Sequence, residues 1–347
     1  MKTTHPLSTI SNFPKPPITK ARNKQSTAYY KITTRTSPID VLIIGAGPAG
    51  LSTALGLARL QIKCIVFSSN VFRNQESKHM HGVPTWEHRD LVEYRAAARE
   101  DVVKNYGSGG GEGSEGADSK TLFRAVDERG AEWWGWKIVL AVGVRDVMLE
   151  MEGYEECWVK GIFHCLFCHG YEERGGASAG VFAIDDCAPR HSATHLARFV
   201  LRLADNATIY TNGNELVSQG IRDMLATAGA ATSSKNNIFI EERKIAKLVK
   251  LPNGAQVEVW LVDGTRKIEA FVAHKPKGML NGTFVEQMGL QTMPQGVIKL
   301  GVPFNETSVS GVFAAGDCGT AVQASATALS MGAMTAAGAA SSICAED

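Results

Sequence analysis

The chain has 347 residues, of which 44% are hydrophobic, and a formal net charge of +1. Its length suggests two or three domains of about 150 residues each, and its near-neutral charge gives no reason to expect a nucleic-acid partner or a charged membrane surface. The seven cysteines are odd in number and sparsely spaced, which disfavours the disulfide framework of a small secreted protein.

Residues 1–38 come before the first pattern typical of folded structure, and we interpret them as a disordered tail. The tail is basic and has no acidic residue, so a transit peptide is the alternative, although Pro14, Pro16 and Pro17 argue against one amphipathic helix. Neither a signal-peptide core nor an apolar run of about 18 residues is visible. We therefore expect a cytoplasmic protein without a membrane span, with an organellar address left open by the tail.

A strand–turn–helix–strand pattern opens the folded part of the chain. Val41–Ile44 is a short apolar run typical of a buried parallel strand, and Leu51–Leu60 has helical spacing. Cys64–Phe67 indicates the next strand. The three segments together predict a βαβ unit.

The turn in this unit carries the pattern GxGxxG. Gly45 permits the tight turn, Gly47 lets a pyrophosphate approach the backbone, and Gly50 lets helix and strand pack closely. Pro48 and Ala49 begin the helix, whose free N–H groups and positive dipole end favour a phosphate. We predict a dinucleotide site here, the alternative being a purely structural glycine turn.

The residue that normally contacts the ribose is missing from this site. A dinucleotide fold usually has an acidic residue near the end of its second strand. Here Phe67 is followed by Ser68, Ser69 and Asn70. Either Ser68 or Asn70 bonds the ribose as a neutral group, or the contact is absent.

Further elements follow in an order that suggests a duplicated nucleotide-binding fold. We expect a flexible surface loop at Gly107–Ser119, which is rich in glycine and serine. A second βαβ-like unit is predicted from a strand at 181–184, a helix near 192–203 and a strand at 208–210. The other predicted elements are a helix at 89–106, strands at 122–126 and 132–142, strand-rich sequence at 238–273, a strand at 311–315 and a small-residue helix at about 323–342.

Cys165 and Cys168 form a Cys-x-x-Cys pair between His164 and His169. A structural zinc site normally needs a second cysteine pair, and the sequence has none, so we expect no metal. The pattern CxxCH also matches a haem-attachment signature, but that chemistry goes with export, for which no signal is seen. The remaining alternatives are an inert pair and a redox-active dithiol, in which one thiolate attacks and the other resolves.

Another short motif that contains glycine, Gly316-Asp317, ends the strand predicted near the C-terminus. Together with the GxGxxG turn, the Ala141-Val142-Gly143 segment and the CxxC, it resembles the thioredoxin reductase-like flavoproteins over residues 38–342. The resemblance implies an α/β fold of two Rossmann-like, three-layer nucleotide-binding domains. The FAD domain would be discontinuous, with parts at 39–155 and 274–347, and a domain at 156–273 would carry the CxxC.

The resemblance also implies roles for individual residues. Asp317 would bond the ribityl chain of FAD, and the helix that starts near Gln323 and Ala324 would point its N-terminus at the flavin. Cys168 would lie against the flavin and Cys165 would exchange with substrate, while His169, or His164, would accept a proton or lower a thiol pKa. For each histidine, a packed or surface residue without a catalytic role is the alternative. The implied FAD contacts also include Ala141, Gly143 and Gly316.

This chain departs from a typical reductase where NADPH would bind. The family has a second glycine motif after the CxxC, but here Asp185 and Asp186 follow the strand and no glycine is present. Two carboxylates would repel a pyrophosphate. The next strand, which ends at Tyr210, is followed by no basic cluster for a 2′-phosphate. We therefore expect that the domain keeps its fold and has lost NADPH.

Within the family, the sequence is similar to dithiol oxidases of disulfide-containing natural products, such as the gliotoxin and holomycin sulfhydryl oxidases. The likeness lies in residues 165–170, in Phe72-Arg73-Asn74 and in the segment from His79 to Gly82. It implies that Arg73, Asn74 and His81 lie near the flavin or a dimer partner, a structural loop being the alternative. It also implies a homodimer.

The hypothesis from the sequence is an FAD-dependent dithiol oxidase. It would form an intramolecular disulfide in a small-molecule dithiol through Cys165 and Cys168, with molecular oxygen as acceptor and hydrogen peroxide as by-product. No nucleic-acid or membrane partner is expected. Two alternatives remain: a thioredoxin reductase-like enzyme that draws on NADPH or another donor, and a flavin-binding redox sensor without enzymatic activity.

Overall fold

The structure is a computed structural model that describes residues 38–107, 122–229 and 237–346. The tail predicted at 1–38, apart from Pro38, lies outside the described residues. The glycine-rich loop predicted at Gly107–Ser119 does too, apart from Gly107.

Helices and strands alternate along most of the chain. The helices are α1 (Pro48–Arg59), α2 (Leu91–Tyr106), α3 (Tyr154–Cys157), α4 (Leu166–His169), α5 (Arg190–Val200), α6 (Glu215–Gly229), α7 (Phe284–Met288) and α8 (Ser325–Glu346). The strands are β1 (Ile39–Ile44), β2 (Cys64–Phe67), β3 (Phe123–Val126), β4 (Glu132–Leu140), β5 (Val144–Asp146), β6 (Ile162–Phe163), β7 (Ala179–Phe182), β8 (Ala207–Tyr210), β9 (Ile238–Glu241), β10 (Ile245–Lys250), β11 (Val257–Leu261), β12 (Arg266–Glu269), β13 (Val272–Ala273), β14 (Gly278–Leu280) and β15 (Val312–Ala314).

The chain divides into two compact units, one of them discontinuous. Unit 1 consists of the described residues up to Arg145 and from Met279 onward, and unit 2 runs from Asp146 to Gly278. The limits predicted from the sequence, after residues 155 and 273, both fall inside unit 2. Packing accounts for the first of these differences: Tyr154 is fully buried in a unit 2 core cluster with Leu248, whose N–H donates to the Glu152 carbonyl at 2.8 Å.

Unit 1 contains a five-stranded sheet. Strands β15, β4, β1 and β2 lie side by side in that order and run parallel, and β3 pairs antiparallel with β4. Asp40–Ile43 of β1, Lys137–Leu140 of β4 and Val312–Ala314 of β15 are buried, as expected for a parallel sheet covered on both faces. The predicted α/β class is confirmed.

Helices α1 and α8 pack closely in unit 1 through small residues. A Cβ atom added to Gly332 would lie 2.4 Å from the Ala49 carbonyl oxygen, and one added to Gly56 would lie 2.5 Å from Ala336 Cβ. Helix α8 is long and apolar enough to cross a membrane, although no membrane span was expected from the sequence. Its buried residues include Ala336 and Ala339, which lie in the core cluster with Leu57 of α1, so its apolar character is that of a core helix.

Unit 2 contains a second parallel sheet, in the order β6, β13, β7, β8 and β9. An antiparallel sheet of β10, β11 and β12 accompanies it. Helix α5 begins two residues before its predicted start, directly after Pro189, whose fixed φ suits a helix entrance. Helix α6 was not predicted from the sequence. Two Rossmann-like units with a discontinuous first domain agree with the predicted architecture.

Candidate active site

The nucleotide motifs of unit 1 meet at one edge of its sheet. Strand register places Ile44 opposite both Phe67 and Leu140, and Leu140 opposite Ala314. All of these strands are parallel, so the segments that follow them leave the sheet at the same edge. In open α/β sheets this carboxyl edge is where ligands bind.

The glycine turn has the form that a pyrophosphate requires. Gly45 has φ +117°, and a Cβ there would lie 2.1 Å from the Ala141 carbonyl oxygen. A Cβ on Gly50 would lie 1.9 Å from the Gly45 carbonyl oxygen, whereas one on Gly47 would meet nothing within 4 Å. The space beside Gly47 and the helix start at Pro48, which has no side-chain cap, fit a phosphate group.

Ser68 and Asn70 pair with each other where an acidic residue was expected. The Ser68 hydroxyl lies 3.1 Å from Asn70 Oδ1, and the Asn70 N–H donates to the same hydroxyl oxygen at 3.1 Å. Ser68 is buried, and Asn70 is exposed with φ +55°. The end of β2 therefore carries neutral polar groups rather than a carboxylate.

Arg73 joins the third motif of unit 1. Its Nη1 donates to Asp317 Oδ2 at 3.1 Å and to Gln323 Oε1 at 2.8 Å, and Gln323 Nε2 donates to the Asp317 carbonyl at 3.4 Å. The side chains of Arg73 and Asp317 are 11% and 23% exposed, so the ion pair is largely shielded from water. These contacts join Asp317, the residue predicted to bond the ribityl chain of FAD, to the start of α8.

The first and last motifs of unit 1 are in contact. Gly316 has φ +81°, and a Cβ there would approach Ala49 Cβ to 2.9 Å. Between the two motifs, the Ala141 N–H donates to the Ile44 carbonyl at 2.8 Å, and Gly143 turns the chain with φ +65°. Close approach to Ala49 therefore explains the glycine at 316, and the left-handed backbone conformation favours the glycine at 143.

The other predicted FAD residues of unit 1 lie on the segments beside this edge. Ala324 is one residue before α8, and its carbonyl accepts from the Ala328 N–H at 2.9 Å. The Asn74 carbonyl accepts from the Ser77 N–H at 3.1 Å. His81 Nδ1 lies 2.5 Å from Glu87 Oε1.

In unit 2, Cys165 and Cys168 form a disulfide with Cα atoms 5.3 Å apart. Cys165 follows the end of β6 and precedes the single turn of α4, which carries Cys168. Both cysteines are partly exposed, as a pair that exchanges with a substrate must be.

Burial disfavours the thiolate form of four other cysteines. It raises the pKa of Cys64 to about 12 and the pKa of Cys157, Cys187 and Cys318 to about 11 each. A thiol with so high a pKa is almost never a thiolate at neutral pH. Cys344 is exposed and lies near the end of α8.

Aromatic side chains surround the disulfide within unit 2. His164 stacks on Trp158 with ring centroids 5.7 Å apart, and His169 stacks on Phe163 at 5.1 Å. Phe167, between the two cysteines, is 81% exposed. Its ring lies edge-on to Phe199 at 5.6 Å. Each of the two histidines thus stacks on an aromatic ring, and an apolar ring lies exposed between the two cysteines.

The loop after β7 is acidic, and a glycine turn is absent there. Asp185 and Asp186 are both exposed in a short 3-10 turn, and Asp185 has φ +47°. Register places Phe182 of β7 opposite Tyr210, and Val181 opposite Ala273, which in turn lies opposite Phe163. The acidic loop and the segment leading to the CxxC therefore leave the unit 2 sheet at the same carboxyl edge.

A buried histidine, which sequence reasoning missed, lies behind this loop. His274 follows β13, and its Nδ1 is 2.6 Å from the Tyr154 hydroxyl. Its Nε2 is 3.3 Å from the Ile184 carbonyl oxygen. Burial lowers the pKa of His274 to about 4 and raises that of Tyr154, so both groups stay neutral.

Comparison with known proteins identifies the family. Residues 39–337 match the model of the pyridine nucleotide-disulphide oxidoreductases. The chain belongs to this family. A thioredoxin reductase, aclD, of Aspergillus oryzae is 38% identical over 86% of this chain and 94% of its own length. Another, tcpT, of Claviceps purpurea is 40% identical over 81% of this chain and 87% of its own.

Solved structures of the family show the same fold. The crystal structure of a putative thioredoxin reductase, TrxB, from Bacillus anthracis superposes with a TM-score of 0.75 and 25% identity. The match covers 89% of this chain and 99% of that one. This pyridine nucleotide-disulphide oxidoreductase is a thioredoxin reductase-like flavoprotein, and its cofactor is FAD.

Proposed function

We propose that this flavoprotein is a dithiol oxidase, which forms an intramolecular disulfide in a small-molecule dithiol and passes the electrons to molecular oxygen. The acidic, glycine-free loop at Asp185 and Asp186 carries the proposal. In a Rossmann-like unit, the turn after the first strand supplies backbone N–H groups and close approach for a pyrophosphate. Two exposed carboxylates there disfavour NADPH through repulsion and side-chain bulk.

The segment directly after the neighbouring strand, β8, has no basic residue that would compensate for the missing glycine turn. After Tyr210 the chain continues as Thr211-Asn212-Gly213-Asn214, without a basic side chain to pair with a 2′-phosphate. With NADPH disfavoured as the donor, we propose that electrons enter at the Cys165–Cys168 disulfide. The substrate is then a reduced dithiol.

Two thiol–disulfide exchanges account for the substrate chemistry. A substrate thiolate attacks Sγ of Cys165, which breaks the Cys165–Cys168 bond and releases Cys168 as a thiolate. The second substrate thiolate attacks the substrate sulfur of that mixed disulfide and releases Cys165. The substrate is oxidised by two electrons, the protein disulfide is reduced by two, and two protons are given up, for which His169 and His164 are the acceptors we propose.

FAD supplies the remaining chemistry, since a flavin accepts the two electrons of the cysteine pair and transfers them to oxygen, giving hydrogen peroxide. The residues of unit 1 that would hold it are the GxGxxG turn for the pyrophosphate and Asp317 for the ribityl chain. Arg73 fixes the Asp317 side chain in position.

The surroundings of the disulfide suit a small substrate with an apolar face. Phe167 is 81% exposed beside both cysteines, and Phe199 supports its ring. Rings of this kind contribute binding energy by stacking or apolar contact. We propose that the substrate is a dithiol built on a small ring, and that the enzyme acts as a homodimer.

A disulfide reductase is the second candidate. The names of the relatives in Aspergillus oryzae and Claviceps purpurea favour it, because both are called thioredoxin reductases. It requires an electron donor other than thiols, and the loop at Asp185 and Asp186 counts against NADPH in that role.

Turnover in air separates the two candidates. The FAD-loaded enzyme is mixed with a small dithiol without NADPH, and disulfide product and hydrogen peroxide are measured together. We expect them in equal amounts, with turnover lost in Cys168→Ser and retained in Cys344→Ser, which changes the exposed cysteine outside the pair. Dithiol oxidation that requires a further electron acceptor, or unchanged turnover in Cys168→Ser, would contradict the proposal.

A further inference from the structure

The segment from His79 to Asp90 in unit 1 folds back on itself as a small antiparallel hairpin. The Met80 N–H donates to the Arg89 carbonyl at 2.8 Å, and the His88 N–H donates to the Met80 carbonyl at 3.0 Å. These two bonds pair Met80 with Arg89 as an isolated β-bridge. Met80 is 2% exposed and packs in a core cluster with Leu91.

Alternation along the two strands gathers three histidines on the opposite side. His79 and His81 flank the inward-facing Met80, and His88 is next to its bridge partner, Arg89. The ring centroids of His81 and His88 are 4.6 Å apart, and those of His79 lie 6.4 Å from His81 and 6.3 Å from His88. The hairpin thus brings three imidazoles together on one side, and Met80 on the other side anchors the hairpin in the core.

Glu87 adds a carboxylate to this group. Its Oε1 lies 2.5 Å from His81 Nδ1, and its Oε2 accepts from the Gly82 N–H at 2.9 Å. The ligand atoms of His81, Glu87 and His88 all lie within 4.8 Å of one another. Ligands about 2.1 Å from one zinc ion are at most about 4.2 Å apart, so small side-chain movements would bring these three residues within bonding distance of one ion. His79 is farther away, with its ring centroid 6.4 Å from that of His81 and 6.3 Å from that of His88, and would have to move more to join them.

We propose that His79, His81, His88 and Glu87 bind a divalent transition-metal ion. Imidazole nitrogen is a ligand for zinc, copper and nickel, whereas magnesium and calcium prefer oxygen ligands. A carboxylate that bonds a histidine nitrogen is also the usual partner that fixes the orientation of a metal-binding imidazole. Glu87 therefore serves the site either as a direct ligand or by orienting His81.

The backbone of the hairpin is bent in a way that favours this arrangement. Thr85 and His88 have positive φ angles of +68° and +59°, which side chains other than glycine rarely adopt. Such strained residues persist where the surrounding structure or a bound ligand holds them, and they cluster at ligand sites. The turn they form brings His88 back beside His81.

Zinc titration of the intact flavoenzyme tests the site. The FAD-loaded protein, with Cys165–Cys168 oxidised and Cys344→Ser to remove an exposed thiol, is titrated with zinc by calorimetry. We expect saturable binding of one ion. We expect affinity at least about 10-fold weaker in His88→Asn, where asparagine tolerates the left-handed backbone, and in His79→Gln.

His191→Gln is the matched control, since His191 is an exposed histidine of α5 outside the cluster. It should bind zinc like the parent, and zinc should raise the melting temperature of the parent and of this control but not of His88→Asn. Equal melting temperatures of all variants without metal would show that each is folded. Absence of saturable binding, or equal affinity in His88→Asn, His79→Gln and the parent, would overturn the proposal.

Discussion

Arg73 Nη1 lies 3.1 Å from Asp317 Oδ2, although 244 residues separate the two along the chain. The same guanidinium nitrogen donates to Gln323 Oε1 at 2.8 Å. Arg73 therefore connects the loop after β2 to the end of β15 and to the start of α8, at the carboxyl edge of the unit 1 sheet. A charge-assisted bond of this kind, only partly exposed to solvent, fixes the carboxylate more firmly than a surface ion pair would.

Replacing Arg73 should weaken the hold on FAD. In Arg73→Met the Asp317 carboxylate loses its cationic partner and its fixed orientation, so we expect the dissociation constant for FAD to rise by about 10-fold, equivalent to about 1.4 kcal/mol. The measurement is fluorescence of free flavin after dilution of the loaded protein. Arg124→Met, which removes an exposed ion pair with Glu132, is the control and should retain FAD like the parent. Equal retention in Arg73→Met would count against the positioning role.

Two substitutions in the glycine turn should affect different properties, one the stability of the protein and the other its affinity for FAD. Gly50→Ala forces a Cβ to 1.9 Å from a backbone oxygen and should destabilise the protein by at least about 2 kcal/mol. Gly47→Ala meets nothing within 4 Å, so the apoprotein should keep the parent melting temperature. Because the methyl group occupies the space for the pyrophosphate, its FAD affinity should fall at least about 10-fold. Normal FAD binding by Gly47→Ala would be inconsistent with this geometry.

The exposed ring of Phe167 predicts a substrate effect without a fold effect. Phe167→Ala should raise KM for the dithiol by about 5-fold or more, since about 1 kcal/mol of apolar contact is lost, and leave the melting temperature nearly unchanged. Phe239→Ala on β9, also an exposed aromatic of unit 2, is the control and should not alter KM. Steady-state kinetics of both variants make the comparison. An unchanged KM in Phe167→Ala would exclude a role for this ring in substrate binding.

The buried His274 predicts a specific pH dependence of stability. Its pKa is lowered to about 4 in the folded protein, against about 6.5 when unfolded, so the unfolded state binds the proton first as pH falls. Stability should therefore be intact above about pH 6.5 and decline towards pH 4, by on the order of 2–3 kcal/mol. His274→Gln, which cannot titrate, should be less stable at pH 7 and should show a smaller decline over the same range. Urea unfolding at several pH values measures both, and equal slopes would contradict the assignment.

The glycine motifs could be predicted from the sequence because at specific positions the backbone conformation or a close neighbour leaves no room for a side chain. Gly45, Gly50 and Gly316 are such positions, and each has a Cβ clash in the structure that explains it. Strand and helix order in the first βαβ unit was also predictable, since short apolar runs and helical spacing are local signals.

Contacts between distant segments could not be predicted in the same way. No local pattern around Arg73 indicates its bond to Asp317, because a loop of irregular backbone carries it there; only the family resemblance implied that both residues lie near the flavin. His79 and His88 likewise become neighbours only through the bridge between Met80 and Arg89. Tyr154 similarly packs against strands that come some ninety residues later, a contact that no local pattern indicates.

The central claim is that thiols, and not NADPH, reduce this flavoprotein. The most direct measurement is an anaerobic titration of the FAD-loaded enzyme, followed by the visible absorbance of the flavin. Because the Cys165–Cys168 disulfide and the flavin each accept two electrons, we expect two equivalents of a small dithiol to bleach the flavin fully in the parent and in Cys344→Ser. We expect no bleaching by the dithiol in Cys168→Ser, and we expect excess NADPH to leave the flavin oxidised in the parent. Rapid bleaching by NADPH would contradict the claim.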